Sequence, residues 1–371
     1  MLKPFLREVR IGAACLPWRV AADLGFRHGA GAPVQFVIEK ADWAIRWVGE
    51  HIRNEVGSLA PGMVETTSRP ERIVNRVIHF GSQYMWLKWG RHLSQSNRFV
   101  TSFFHGKPED GPDVARHIDD FLASVPRLTK VVTAAGIIER RLLDWGVPRE
   151  KLVLIPIGVD TKAFVMPTPE VRADARRFFG IPDDAVVIGS FQKDGLGWGD
   201  GMEPKLIKGP DIFVGAMAAL KAKGLPVIAF LTGPARGYVK QGLDNLCIPF
   251  VHTYAQDHLD LVTCYHALDL YFVTSREEGG PMGLMESMAS GVPVISTSVG
   301  MAPDLLRDAQ TGGLVDSGSA ADIADKALQI LYSGDLNGIK LRAREAVAVA
   351  DWSVVGRDHW LKVYEPALHQ R

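Results

Sequence analysis

Two carboxylates, Glu278 and Glu286, stand eight positions apart on either side of a glycine-led turn. The stretch reads Arg276-Glu277-Glu278-Gly279-Gly280-Pro281-Met282-Gly283-Leu284-Met285-Glu286-Ser287-Met288-Ala289-Ser290-Gly291-Val292-Pro293-Val294-Ile295. The apolar run 268–273 before it suits a buried parallel strand, which Gly279-Gly280-Pro281 cannot continue. From Met282 to Ser290 the residues suit a short helix. Met285, Met288 and Ala289 fall on one face, Gly291 serves as C-terminal cap, and Pro293 opens another strand. A helix N-terminus preceded by glycines presents free N–H groups and a partial positive charge, which together hold phosphate oxygens. Glu278, in the turn, is then placed to meet the group beyond the phosphates, and Glu286, on the helix, a hydroxylated ring such as ribose. Spacing alone equally allows a solvated Glu286 and glycines that only make a tight turn.

A second candidate anion site comes after a strand at 186–191. The segment 192–206 holds Lys193, Gly195, Gly197, Gly199, Gly201 and Lys205, and Ile207-Lys208-Gly209-Pro210-Asp211 then opens a helix. A glycine-rich excursion with several lysines suits an anion better than a packed core; the alternative is a flexible, idle insertion. Elsewhere, Thr101-Ser-Phe-Phe-His105-Gly106 puts a histidine at the carboxyl edge of the third expected strand, where open sheets present ligand-facing residues.

Residues 278–295 resemble the signature of family 4 retaining glycosyltransferases, and Glu278 and Glu286 match that family's E-x7-E pattern. The resemblance implies an α/β chain of GT-B fold: two doubly wound Rossmann-like domains facing a central cleft. It implies that Glu278 and the residues after it, Gly279, Gly280, Pro281, Met282, Gly283 and Leu284, contact the donor sugar and diphosphate, and that Glu286 binds the ribose. Lys208 matches the family's Lys-Gly pair, which neutralises the leaving diphosphate. The family's basic residue after the preceding strand falls at Ser190 here, leaving Lys193, three positions on, as the substitute. His105 is similar in position to a family histidine directed at the donor sugar. Glu278, Lys208 and His105 are thus the expected catalytic residues. Residues Val251 to Tyr254 are expected near the nucleobase, and Ile155 to Asp160 resembles the interdomain hinge. The opening departs from the family, which begins with a strand and a Gly-rich acceptor loop.

The implied reaction moves a hexose-type sugar from a UDP- or GDP-sugar to a glycan, lipid-linked or small-molecule acceptor, retaining configuration, as in polysaccharide biosynthesis. It needs no metal and no cofactor beyond the nucleotide-sugar donor. Two rivals share the architecture. A nucleotide-sugar 2-epimerase would isomerise the donor without an acceptor, and a non-catalytic binding subunit would hold the donor without transfer.

At 371 residues the chain exceeds single-domain size. The expected division is an acceptor-side domain over 1–168, a nucleotide-sugar domain over 169–350, and helices over 351–371 that cross back to the first domain. Strands are expected at 34–38, 73–80, 99–104, 130–134 and 152–155, then at 186–191, 227–232, 248–252 and 268–273. Helical segments such as 42–56 and 137–145 alternate with them, which means parallel sheets covered by helices. The first thirty residues read as irregular. Tyr84 to Trp89 read as a helix face in the core, and Asp119-Asp120 as a solvated face rather than a metal pair. Forty-two basic and forty-two acidic residues leave no net charge, which argues against a nucleic-acid binder. Cys15, Cys247 and Cys264 have no paired spacing, which excludes a disulfide framework or zinc cluster and fits a reducing compartment. With no apolar run of about eighteen residues, a cytoplasmic chain is expected. Lys3, Arg7 and Arg10 ahead of an apolar stretch leave room for peripheral contact with the inner membrane face.

Overall fold

The structure, a computed structural model, describes residues 2–26, 29, 31–39, 44–316 and 318–369. They form two compact units, one running to Gly158 and resuming at Trp352, the other spanning Val159–Asp351.

The first unit is built on six parallel strands: β1 (Val34–Val37), β2 (Val64–Thr67), β3 (Val77–Phe80), β4 (Arg98–Ser102), β5 (Leu128–Thr133) and β6 (Leu152–Leu154). Their order is β2-β1-β3-β4-β5-β6, so the winding reverses between β1 and β3. Val34, Phe36, Val77, Val100 and Val132 meet Ile52 and Val56 of the helix Ala44–Leu59 and, from the end of the chain, Trp352, Val355 and Tyr364. The expected start of that helix, residue 42, lies outside the described residues.

Three expectations need correction here. β2 was not anticipated, because Val-Glu-Thr-Thr at the sheet edge buries only Val64 and leaves no apolar run to read. His105 therefore comes after the fourth strand rather than the third. The strand expected over 73–80 begins at Val77, since Asn75 is left-handed (φ 54°) and its N–H is bonded to Ser96 Oγ at 3.1 Å. The opening is not irregular: Leu2–Asp23 is one helix of 22 residues that runs through Pro17. Buried Ile11 and Cys15, four apart, mark its inner face. Glu8 bonds His92 at 2.9 Å and pairs with Arg91, while Asp23 accepts from Ser94 Oγ at 2.9 Å. The side chains of Lys3 and Arg7 lie outside the described residues. Among the described residues no helix is long and apolar enough to cross a membrane.

In the second unit the strands are β7 (Val186–Ser190), β8 (Val227–Thr232), β9 (Phe250–Thr253), β10 (Leu270–Val273), β11 (Val294–Thr297) and β12 (Gly313–Val315). They are parallel in the order β12-β11-β10-β7-β8-β9. Most are buried on both faces, as parallel strands covered by helices must be. The units divide between Gly158 and Val159, not at 168/169, because the intervening segment is held by the second unit. Val159 N–H bonds Ala350 O at 2.8 Å, and Arg344 donates to the carbonyls of Thr161 and Phe164, each at 3.1 Å.

Candidate active site

In the second sheet, β7 and β10 are neighbours that share register at Ile188–Leu270 and Gly189–Tyr271. The winding reverses between them, and an open α/β sheet leaves a ligand crevice at the carboxyl ends of such a strand pair. Both glycine-rich segments emerge there. The Lys208 ammonium lies directly on Glu278 Oε1, which also accepts Ser275 Oγ at 2.9 Å. The two side chains keep 25% and 12% of their surface exposed, so the pair is sheltered and still reachable.

Lys208 owes its placement to the next residue. Gly209 has φ +63°, and a Cβ there would sit 1.8 Å from the carbonyl oxygen of Thr274. Only glycine lets the chain pass so close. Thr274 Oγ1 then donates to Gly209 O at 2.9 Å, fastening this backbone beside the turn. Arg276 provides the second fastening. Its guanidinium bonds Leu206 O at 2.6 Å and grips both carboxylate oxygens of Asp211, at 2.9 and 2.6 Å. That hydrogen-bonded fork lowers the Asp211 pKa and raises that of Arg276.

The helix Met282–Ala289 starts after Pro281 with no capping side chain; Leu284 N–H turns back to Pro281 O at 3.1 Å, which leaves the N–H groups of Met282 and Gly283 at the first turn for a ligand. Gly283 is required by close approach, since a Cβ would fall 2.1 Å from the Tyr271 hydroxyl. Gly291, left-handed at φ +67°, ends the helix where expected. Glu286 is not a solvated helix residue: it is 4% exposed. Tyr265 donates to its Oε2 at 2.8 Å, and His258 Nε2 lies 3.1 Å from its Oε1. Burial, reinforced by the Glu286 charge, holds the Tyr265 hydroxyl well above its usual pKa. Burial pulls the His258 imidazole down, but the hydrogen bond and charge of Glu286, with Asp257 adding, outweigh it and leave the pKa raised.

The segment 192–206 is a built element rather than an idle insertion. Gly195 and Pro204 form an antiparallel bridge, and Leu196 N–H bonds Glu203 O at 2.9 Å. Gly237 and Tyr238 donate back to the carbonyls of Asp200 and Gly201 at 2.7 and 3.0 Å. At its root, Asp194 Oδ1 and Arg236 Nε stand 3.1 Å apart, with both side chains essentially out of water. Burial raises the Asp194 pKa against the pull of the guanidinium, and burial likewise lowers that of Arg236. Arg236 also donates to Ser190 O at 2.5 Å and Ser190 Oγ at 3.2 Å. The serine standing where the family carries a basic residue is therefore touched by an arginine from 46 residues downstream. Lys193 lies over the Trp198 ring, 3.7 Å from its centroid. Lys205, whose pKa is lowered by burial and then by the charges of Lys208 and Lys193, with Glu278 opposing, joins these two in one cationic group.

Lys193, Lys208, Glu278, Glu286 and residues 279–284 are thus all carried by the second unit. His105 belongs to the first, exposed after β4 and one strand beyond the reversal, with its carbonyl accepting Gln83 Nε2 at 3.1 Å. Beyond Val251–Tyr254 lies a cavity of about 620 Å³, lined by Tyr254, Phe178, Phe179, Thr263, Cys264 and His266. Sequence reasoning gave no part to Arg276, Tyr265, His258, Asp194 or Arg236. Only the absent cation at Ser190 offered a signal, by posing the question that Arg236 answers.

Residues 206–344 match the family described as Glycosyl transferases group 1. The chain is 29% identical over 230 residues to the D-inositol 3-phosphate glycosyltransferase of Saccharomonospora viridis, covering 57% of this chain and 49% of that one. It is 31% identical over 207 residues to the lipopolysaccharide core biosynthesis mannosyltransferase of Rhizobium meliloti, covering 52% and 51%. The chain spans about half the length of these curated relatives. Among solved structures, Anabaena HepE in complex with UDP superposes with a TM-score of 0.70 at 16% identity, over 88% of this chain and 97% of that one. The same protein has been solved with UDP-glucose, at a TM-score of 0.67 and 17% identity over the same shares.

Proposed function

We propose that this chain, a family 4 glycosyltransferase of GT-B fold, moves a hexose-type sugar from a UDP- or GDP-sugar to a glycan, lipid-linked or small-molecule acceptor, with retention and without a metal ion. The observation that carries this reading is the Lys208–Glu278 pair beside an uncapped helix N-terminus at the point where the second sheet reverses. Breaking the bond between the anomeric carbon and the phosphate oxygen leaves the electron pair on the departing diphosphate. Lys208, the N–H groups after Gly279 and, more remotely, Lys193 are suited to bear that charge, and one such donor is worth about 3 kcal/mol. The acceptor hydroxyl adds to the anomeric carbon on the face the phosphate leaves. Its proton passes to a phosphate oxygen, which balances the exchange without a covalent sugar–protein bond. When the donor arrives, Lys208 exchanges Glu278 for phosphate, and Glu278 is released toward the sugar hydroxyls. Glu286 grips the ribose. The UDP and UDP-glucose complexes of the Anabaena protein support a nucleotide-sugar donor. His105 is assigned a part in transfer by the family resemblance alone.

On the opening helix, Leu6, Val9, Leu16 and Val20 are exposed at helical spacing beside Arg10. This supports a peripheral contact with an anionic inner membrane face for a cytoplasmic enzyme.

Nucleoside diphosphate release from UDP- and GDP-sugars across a panel of glycan and lipid-linked acceptors tests the proposal, with product anomers read by NMR. Glu278→Gln should cut turnover about a hundredfold or more with an unchanged melting temperature. Near-normal turnover in that variant removes Glu278 from the chemistry, and donor isomerised without acceptor replaces transfer by epimerisation.

A further inference from the structure

Glu286 is not waiting empty for a ligand. Its Oε2 is taken by the Tyr265 hydroxyl, which comes from a fully buried ring fixed by aromatic contacts to Phe164, Phe191 and Tyr271. Its Oε1 is taken by His258. The two partners differ in kind. Tyr265 is locked in the core, whereas His258 sits on a short turn, Asp257 to Asp260, with 29% of its side chain exposed. Glu286 is only 4% exposed, so a sugar diol that binds it needs room beside the carboxylate as well as an acceptor position, and the partner able to yield that room is His258.

We propose that His258 is a proton-controlled competitor for the Glu286 carboxylate, so that the ribose of the donor binds by displacing it. The inference rests on the reading of Glu286 as the ribose acceptor. As imidazolium, His258 holds Oε1 by charge and hydrogen bond together; as neutral imidazole it holds by hydrogen bond alone and gives way more cheaply. Glu286 comes from the helix Met282–Ala289, with Tyr265 bonded to the other side of that carboxylate, and Asp257 comes from its own turn. The Asp257 carboxylate is engaged in capping, accepting Leu259 N–H at 2.9 Å. Phe164, edge-on to the imidazole with centroids 5.7 Å apart, adds no charge. Glu286 is a carboxylate in direct contact with the ring, and a ligand that takes this partner away must favour loss of the proton. By reciprocity, losing the proton must favour the ligand.

Calorimetric titration at about pH 6, 7 and 8 with UDP-glucose and GDP-mannose, whose diphosphates stay fully ionised over that range, reads this directly. Wild type should bind its donor roughly tenfold more tightly at the high end than at the low end. His258→Asn, which keeps a hydrogen-bonding group and cannot titrate, should bind tightly throughout. The His258 ring, followed by proton NMR, should titrate at lower pH once donor is saturating. Flat wild-type affinity, or a pH trend that survives in His258→Asn, overturns the proposal. Glu286→Gln separates the two levels: if it binds donor as well as wild type at every pH, the ribose reading itself fails. Failure of wild type to bind either sugar nucleotide removes the donor reading and this inference with it.

Discussion

At the scale of single residues, the site turns on how Lys208 is held. It reaches Glu278 because Gly209 adopts a left-handed turn against Thr274 that no side chain could share. Gly209→Ala should therefore destabilise the second unit by about 2 kcal/mol or more, combining left-handed strain with a forced backbone shift. It should also weaken nucleotide binding, since the ammonium moves with the turn. Urea unfolding and calorimetry on one preparation check both; wild-type values in each would show that the turn has slack. Such residues divide sharply in how far the sequence exposes them. Glu278, Glu286 and Lys208-Gly209 could be read because each belongs to a short stretch with its own spacing. The contact of His258 with Glu286 spans 28 positions, and that of Asp194 with Arg236 spans 42, so no local pattern announces either.

At the scale of elements, the excursion between β7 and Gly209 behaves as a bracket whose root is the buried Asp194–Arg236 pair. A buried ion pair adds little net stability, yet removing one partner strands the other charge, at a cost of about 3–5 kcal/mol. Asp194→Ala should lower stability by that order and loosen the bracket that carries Lys193 and Lys205. Thermal unfolding together with hydrogen exchange across 192–206 would detect this, and unaltered exchange would show the loop to be held elsewhere. The strands expected at 186–191, 227–232, 248–252 and 268–273 match β7 to β10 to within two residues at each end; β8 and β10 are legible because burial on both faces leaves apolar runs. β2 was not, being a polar edge strand. The opening helix was hidden by Pro17 and by scattered charge, and its packing on 90–94 and on the turn Pro70–Arg72, where Arg72 lies over the Trp18 ring, reveals why it forms.

At the scale of the whole molecule, the end of the chain is bound into the first unit by a buried histidine pair. His79 Nδ1 and the Tyr364 hydroxyl stand 2.8 Å apart, His79 Nε2 and Ser102 Oγ 3.0 Å, and the His359 ring stacks on His79. Burial lowers the pKa of His359 to about 4, and burial, then the His359 charge, lowers that of His79 well below 6.5. Both are neutral when folded, while the unfolded chain protonates near 6.5, so stability is complete above that pH and falls as pH drops from 6.5 toward 4. For His359 the loss accumulates to roughly 3 kcal/mol. His359→Leu should flatten the decline of melting temperature over this window relative to wild type, and parallel curves would contradict the assignment. The doubly wound order of the second unit, with its reversal between β7 and β10, decides where the two glycine-rich segments meet. Sequence could supply the segments and their parallel strands, but the adjacency of β7 and β10, far apart in the chain, appears only once the sheet is assembled.

All of this chemistry depends on Lys208 and the helix N-terminus beside it holding the diphosphate of a nucleotide. Titration calorimetry of UDP and GDP against wild type and Lys208→Ala is the sharpest test of that dependence. The preferred nucleotide should lose at least tenfold in affinity in the variant while the melting temperature of the free protein stays within a few degrees. Equal affinity in the two proteins would contradict the assignment of Lys208 to the diphosphate.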